Sequence, residues 1–260
     1  MSPFWGLYLQ SLAFNAFEIG ILMSLLQVMR IFAPNLWGWM ADHTGRRVMI
    51  VQLAAIGSLL SYLGVFFGSG FAWLFAVMGT MSFFWSASLP LVEATTLSYL
   101  GEHTYRYGRI RPWGSVGFVF AIVALGYWFD VRPIADLPWA VLGFKVGIAV
   151  LARRIPEATI IVHDSAHLPV WHIMRRPEVM ALIGACFLMS AAHGAYYTFY
   201  SIDLVDNGYS KSSVSWLWAL GIVCEIGVFM WLPRWLSKVS MARIFLTTFA
   251  IAVLRFSIIA

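Results

Sequence analysis

WLWALGIVCEIGVFMWL, residues 216–232, is seventeen residues long and carries a single charge, Glu225. At about 1.5 Å per residue a helix of this length covers roughly 25 Å, nearly the depth of a bilayer's hydrocarbon core, so the carboxylate falls close to its middle. The rest of the chain repeats the pattern. Of 260 residues 61% are hydrophobic and only 11% charged, with a mean hydropathy of +0.79, a balance far from that of soluble domains. Apolar runs end in Trp, Tyr and Phe, as spanning helices do, and the alternation of a β-barrel is absent. The chain is therefore expected to be an all-α integral membrane protein.

Nine apolar segments follow from the hydropathy: 1–12, 18–40, 48–67, 71–98, 112–129, 139–152, 178–200, 213–232 and 243–260. With the 41–47 loop on the cytoplasmic side, twelve of the 17 basic residues fall in inner loops and only Arg132 and Lys211 in outer ones. Arg30, Lys145 and Arg255 lie within helices. This is the positive-inside bias, and it accounts for the basic pI of about 9.4 without a nucleic-acid partner. Cys186 and Cys224 sit in apolar runs, where they read as small packed hydrophobes rather than a disulfide. HDSAH (163–167) with His172 has metal-compatible spacing, but neither Cys nor Glu joins it, and no metal or cofactor is expected.

The longest connection, 153–177, carries two Arg-Arg pairs and three histidines. It divides the chain into an N-terminal bundle (1–152), a cytoplasmic linker (153–177) and the start of a C-terminal bundle (178–260). Sliding the sequence by 195 positions lays FWGLYLQSLAF (4–14) on FYSIDLVDNGY (199–209) and brings Arg30 onto Glu225, a parallel repeat of the kind that builds transporters around a midplane site. The first segment is too short to span and the last ends without a cap, so a piece of a larger protein is expected.

GWMADHTGRR (38–47) joins the second and third segments. Gly38 allows close helix approach, Asp42 accepts bonds at a helix boundary, Gly45 permits a tight turn, and Arg46 and Arg47 meet acids or lipid headgroups. In this loop the chain resembles the major facilitator superfamily. YGRIRPWGSVGF (107–118), LPLVEATTL (89–97) and SAAHGAYYTFYS (190–201) narrow the resemblance to its 3-phenylpropionate permease and nucleoside:proton symporter branch. It implies two pseudo-symmetric helical bundles, nine of twelve segments being present here. It also implies a loop at 38–47 that latches one state, a cytoplasmic loop signature at Arg109 and Arg111, and a monomer in a bacterial inner membrane. The activity implied is proton-coupled uptake of a small organic solute such as an aromatic carboxylate, with protons, solute and bilayer as partners and no enzymatic chemistry. A nucleoside or sugar symporter and a non-transporting fragment are the alternatives.

Charges within helices cost about 2.5–3.5 kcal/mol each at a helix centre, so Arg30, Glu93, Lys145, Glu225 and Arg255 need partners or a task. Arg30, Glu225 and Arg255 each lie about a dozen residues into a segment, roughly 18 Å along it, at the midplane. The resemblance assigns the solute and proton pathway to Arg30, Glu93, His193, Tyr197, Glu225 and Arg255. An arginine supplies the cation, the tyrosines a face, and Glu225 a carboxylate alternately paired and protonated. His193 reads either as a satisfied interior histidine or as a proton or anion partner. The stripe Tyr196, Tyr197, Phe199 and Tyr200 is either packing or a solute face. Lys145 has no part in the resemblance.

Overall fold

The computed structural model describes residues 3–157, 174–236 and 239–259. All regular structure among them is helical: α1 (Trp5–Ser11), α2 (Ala16–Thr44), α3 (Arg47–Leu63), α4 (Phe71–Leu100), α5 (Tyr107–Val131), α6 (Leu137–Ala152), α7 (Pro177–Asp206), α8 (Lys211–Leu236) and α9 (Met241–Ile259). Six of them are long and apolar enough to cross a membrane, and the protein is a multi-pass membrane protein. Each expected segment corresponds to one helix.

Most helices overrun the expected bounds. A helix satisfies its own backbone hydrogen bonds and continues past the first charge into the interfacial layer, whereas an apolar run stops there. Arg109 and Arg111, expected in a loop, consequently lie in the first turns of α5. The helix ends carry local signals as well. Asn15 and Glu18 form a reciprocal capping box on α2, which satisfies two orphan amides at once.

α2, α3, α4 and α6 pack as neighbours. Towards the arginine-rich end their core is built from Ala33, Ala41, Ala54, Ala55, Ala87 and Ala152 around Trp37, whose indole donates to the Phe83 carbonyl at 3.0 Å. Towards the opposite end Phe4, Trp5, Leu22, Tyr62, Met78 and Phe129 form a second core. There the Tyr62 hydroxyl donates to the Pro138 carbonyl at 3.0 Å and ties α3 to α6.

Lys145 lies in this interior, 8% exposed. Its ammonium donates to Ser58 Oγ at 2.7 Å and sits 4.7 Å from the Trp85 ring and 5.5 Å from that of Tyr62. Two aromatic faces and one hydroxyl, with no carboxylate among its described contacts, hold the buried cation.

α7 and α8 join the earlier helices at the end opposite the arginines. Gln10 donates to Asp206 at 3.2 Å, the Asp130 carboxylate accepts from backbone amides at the start of α8, and the side chain of Phe199 lies over Gly20. Towards the arginine-rich end, large side chains of α7 such as Phe187 (70%) and Leu188 (68%) are exposed. Cys186 and Cys224 are free and exposed. They lie on open helix faces rather than packing in a core as expected, because only a few residues of α7 and α8, Ser201, Val214, Ser215 and Ala219 among them, are buried. The linker histidines 163, 167 and 172 lie outside the described residues.

Candidate functional site

His193, Tyr196, Tyr197 and Tyr200 stand at positions i, i+3, i+4 and i+7 of α7, a spacing that puts them on one face of a helix. Trp218 of α8 wedges among the tyrosines. Its ring is 5.3 Å from Tyr196, 5.7 Å from Tyr197 in a stacked orientation and 5.9 Å from Tyr200. Its indole N–H is fixed by a 2.9 Å bond to Ser201 Oγ. Tyr196 and Tyr200 stack at 4.5 Å.

α9 closes the cluster with two consecutive residues. The Arg255 guanidinium lies 3.9 Å above the Tyr196 ring, and Phe256 meets His193 edge-on at 5.2 Å. The same guanidinium hydrogen-bonds the Tyr196 side chain, and a guanidinium has five N–H donors, so others remain to meet a planar anion such as a carboxylate. Beside it an apolar groove of about 290 Å³ runs between α7 and α9, lined by Met189, Ala192 and Phe256 among others. A cation and aromatic planes with an apolar slot alongside are the chemistry that holds a small aromatic acid.

His193 Nδ1 lies 2.9 Å from the Met189 carbonyl. A carbonyl only accepts, so Nδ1 carries the hydrogen of this contact and Nε2 points away from it. The imidazole is thus oriented by its own helix.

The other residues expected at the site are distributed elsewhere. Glu225 is exposed on α8, and neither Arg30 nor Arg255 forms an ion pair with it among the described residues; Arg47 pairs with Asp42 and Arg111 with Glu93. Arg30 is exposed on α2 and donates to Gln27 Oε1 at 3.0 Å. Glu93 meets Arg111 at 3.3 Å and the Tyr107 hydroxyl, joining α4 to the start of α5 at the arginine-rich end.

The 38–47 stretch, expected to be a loop, is helical up to Thr44, and Gly45 ends α2 in the left-handed conformation (φ 67°) with its amide returning to the Ala41 carbonyl, a helix stop that suits glycine. Asp42 pairs with Arg47 at 3.0 Å, and Arg47 also reaches Ser98 Oγ at 3.2 Å. Arg46 is exposed. Gly38 departs from expectation. A methyl there would meet nothing within 4 Å, because Trp37, not Gly38, faces α4.

Sequence reasoning did not single out Trp218 and Phe256, which complete the cluster. Trp218 lies within the run that defines the fold, where an aromatic residue reads as an interfacial anchor. Phe256 is marked only by following Arg255.

Comparison with known proteins gives concordant matches. The MFS_1 like family matches residues 1–260. A "Probable 3-phenylpropionic acid transporter" of Escherichia coli (strain K12) is 30% identical over 231 residues, covering 87% of this chain and 61% of that protein. A "Maltose permease" of Geobacillus stearothermophilus is 34% identical over 158 residues, 60% of this chain and 40% of the permease. The crystal structure of the nucleoside transporter NupG superposes with a TM-score of 0.75 at 16% identity, over 91% of this chain and 65% of that one, a likeness of fold alone. The chain spans 61% of the length of the E. coli relative.

Proposed function

The chain belongs to the MFS_1 like family, a major facilitator fold, and from that premise we propose that it forms part of a proton-coupled symporter for a small aromatic carboxylate. The observation that carries the reading is the Arg255 guanidinium lying 3.9 Å over Tyr196 in a cluster with Tyr197, Trp218, Phe256 and His193. The carboxylate bonds to the edge of Arg255, and the aryl group lies in the apolar groove between α7 and α9 against Phe256.

In this reading Glu225 carries the proton, and Arg30, which occupies the corresponding position in the internal repeat, serves as its counter-charge in another state of the cycle. Residues 1–152 and 178–260 form the two bundles, joined by the 153–177 linker. They rock about the midplane site, with the 38–47 loop holding one state and Glu93 with Arg111 bracing the same end. The bacterial relatives support a location in the cell inner membrane. Names of relatives that are all transporters support a role without enzymatic chemistry.

Binding to the purified chain in lipid nanodiscs, followed through tryptophan fluorescence, tests the site independently of translocation. 3-Phenylpropanoate is expected to saturate the signal, and its neutral amide to bind at least tenfold more weakly, as expected when a charged hydrogen bond is lost. Equal affinity for acid and amide overturns the carboxylate reading. Saturation by a nucleoside or by maltose, with no response to the acid, replaces it with a nucleoside or sugar symporter.

A further inference from the structure

Asp130, at the end of α5, belongs to none of the residues assigned above. Its Oδ1 accepts from the Lys211 amide at 2.8 Å and from the Ser212 amide at 3.3 Å, and its Oδ2 from the Ser212 amide at 3.3 Å. These are the first two backbone N–H groups of α8, groups that no helix can satisfy internally. A carboxylate set against the positive end of a helix gains from both the hydrogen bonds and the dipole. α8 already has a cap of its own, because Ser210 Oγ accepts from the Ser213 amide at 3.2 Å. Asp130 comes instead from a helix more than eighty residues earlier in the chain. Its contribution therefore falls on the junction between α5 and α8 rather than on the helix alone.

A second, independent contact marks the same junction one to two turns deeper. The Ser215 hydroxyl lies against the Ile122 carbonyl of α5 at 2.9 Å and the Lys211 carbonyl at 3.0 Å. It fills the space above Gly126, where an added Cβ would stand 2.9 Å from the Lys211 carbonyl and collide with Ser215. Only glycine lets the two helices come this close. Gln10 and Asp206 add a third tie at the same end.

We infer that Asp130 is a positioning residue that latches the two bundles shut at the end opposite the arginines, through a cap that exists only while that end is closed. Opening that end separates α5 from α8, and the carboxylate then leaves the helix start to Ser210. The inference rests on the transporter reading for the meaning of the movement alone. Its test needs no solute, so its failure is distinct from a failure of the binding assay.

Spin labels on Phe67→Cys and Tyr209→Cys, in a background with Cys186 and Cys224 replaced by serine, report the separation of the bundles by pulsed electron resonance. Both sites are exposed and both lie at the latched end. In Asp130→Ala the ratio of long to short separations should rise by roughly three- to thirtyfold, the range for losing a helix cap to alanine. Asp130→Asn keeps an accepting oxygen and should stay within about threefold of the native ratio, since Asn caps nearly as well. Ser210→Ala removes the local cap and should leave the ratio unchanged. If Asp130→Ala does not fold, Gly126→Ala serves in its place, with the same shift to long separations expected. Distributions for Asp130→Ala or its substitute that superimpose on the native one overturn the inference. A shift in Ser210→Ala as large as that in Asp130→Ala also overturns it, by making the cap a matter of helix stability.

Discussion

Replacing Arg255 with lysine keeps the charge and removes the plane. The guanidinium stacks on Tyr196 at 3.9 Å and is half-buried, so the loss of its cation–π contact is worth about 0.5–1 kcal/mol. A lysine also meets the carboxylate with one charged hydrogen bond where arginine offers two, and the bond lost is worth about 1.5 kcal/mol. Together these weaken binding by about 2 kcal/mol, roughly thirtyfold in Kd. Titrating 3-phenylpropanoate and its amide against Arg255 and Arg255→Lys proteins isolates the charged contact, because the amide cannot accept a bidentate pair. The acid should lose about thirtyfold, and the amide under about fivefold, the stacking share alone. If acid and amide lose affinity equally, Arg255 merely supports the packing of α7 against α9, and the carboxylate is held elsewhere.

In the whole transporter of which this chain is proposed to form part, Glu225→Gln mimics the protonated side chain and should abolish solute-driven proton movement in proteoliposomes while leaving solute binding within a few-fold of native. Normal proton flux, read with an internal pH dye, makes Glu225 a structural residue. In the same whole transporter, Asp42→Asn should slow turnover with a modest loss of solute affinity. The Asp42 side chain is 67% exposed, so loss of its pair with Arg47 costs the fold less than about 1 kcal/mol, and unchanged turnover removes the loop from the transport cycle. Lys145→Met should leave thermal unfolding in detergent unchanged or raise its midpoint, because an apolar residue of similar length replaces a buried cation. Lys145→Ala should destabilise by about 2–5 kcal/mol through the cavity it leaves, and a Met variant as unstable as the Ala variant shows that the charge itself holds α6.

The helices were legible because burial in a bilayer forces every backbone group to be satisfied within a segment, so hydropathy and length suffice. The turn at Gly45 was legible from its neighbours, since a left-handed residue after a helix is nearly always glycine or asparagine. The aromatic face of α7 could be read from the spacing of His193, Tyr196, Tyr197 and Tyr200. What faces it could not, because Trp218 and Arg255 reach it from separate helices and no local pattern encodes their meeting. Lys145 shows the same limit. Its partners Ser58, Tyr62 and Trp85 lie on α3 and α4, and a lone lysine in an apolar run looks the same whether or not an aromatic cage awaits it. The junction of α5 and α8 was hidden for another reason, since Asp130 among outer-loop residues is indistinguishable from a solvated charge until its acceptors are found to point at Lys211 and Ser212.

The cage around Lys145 also bears on how the chain is made. A lysine at mid-helix costs a segment about 2.5–3.5 kcal/mol when it leaves the insertion machinery for lipid, which consumes most of what the apolar residues of the sixteen-residue α6 contribute. Ser58, Tyr62 and Trp85 all precede Lys145 in the chain, so α3 and α4 have left the ribosome before α6 is translated. α6 can therefore partition against protein instead of lipid and gain its hydrogen bond and aromatic contacts as it enters. The order of synthesis thus matches the order in which the cage is needed, since its walls are made before the cation that they hold.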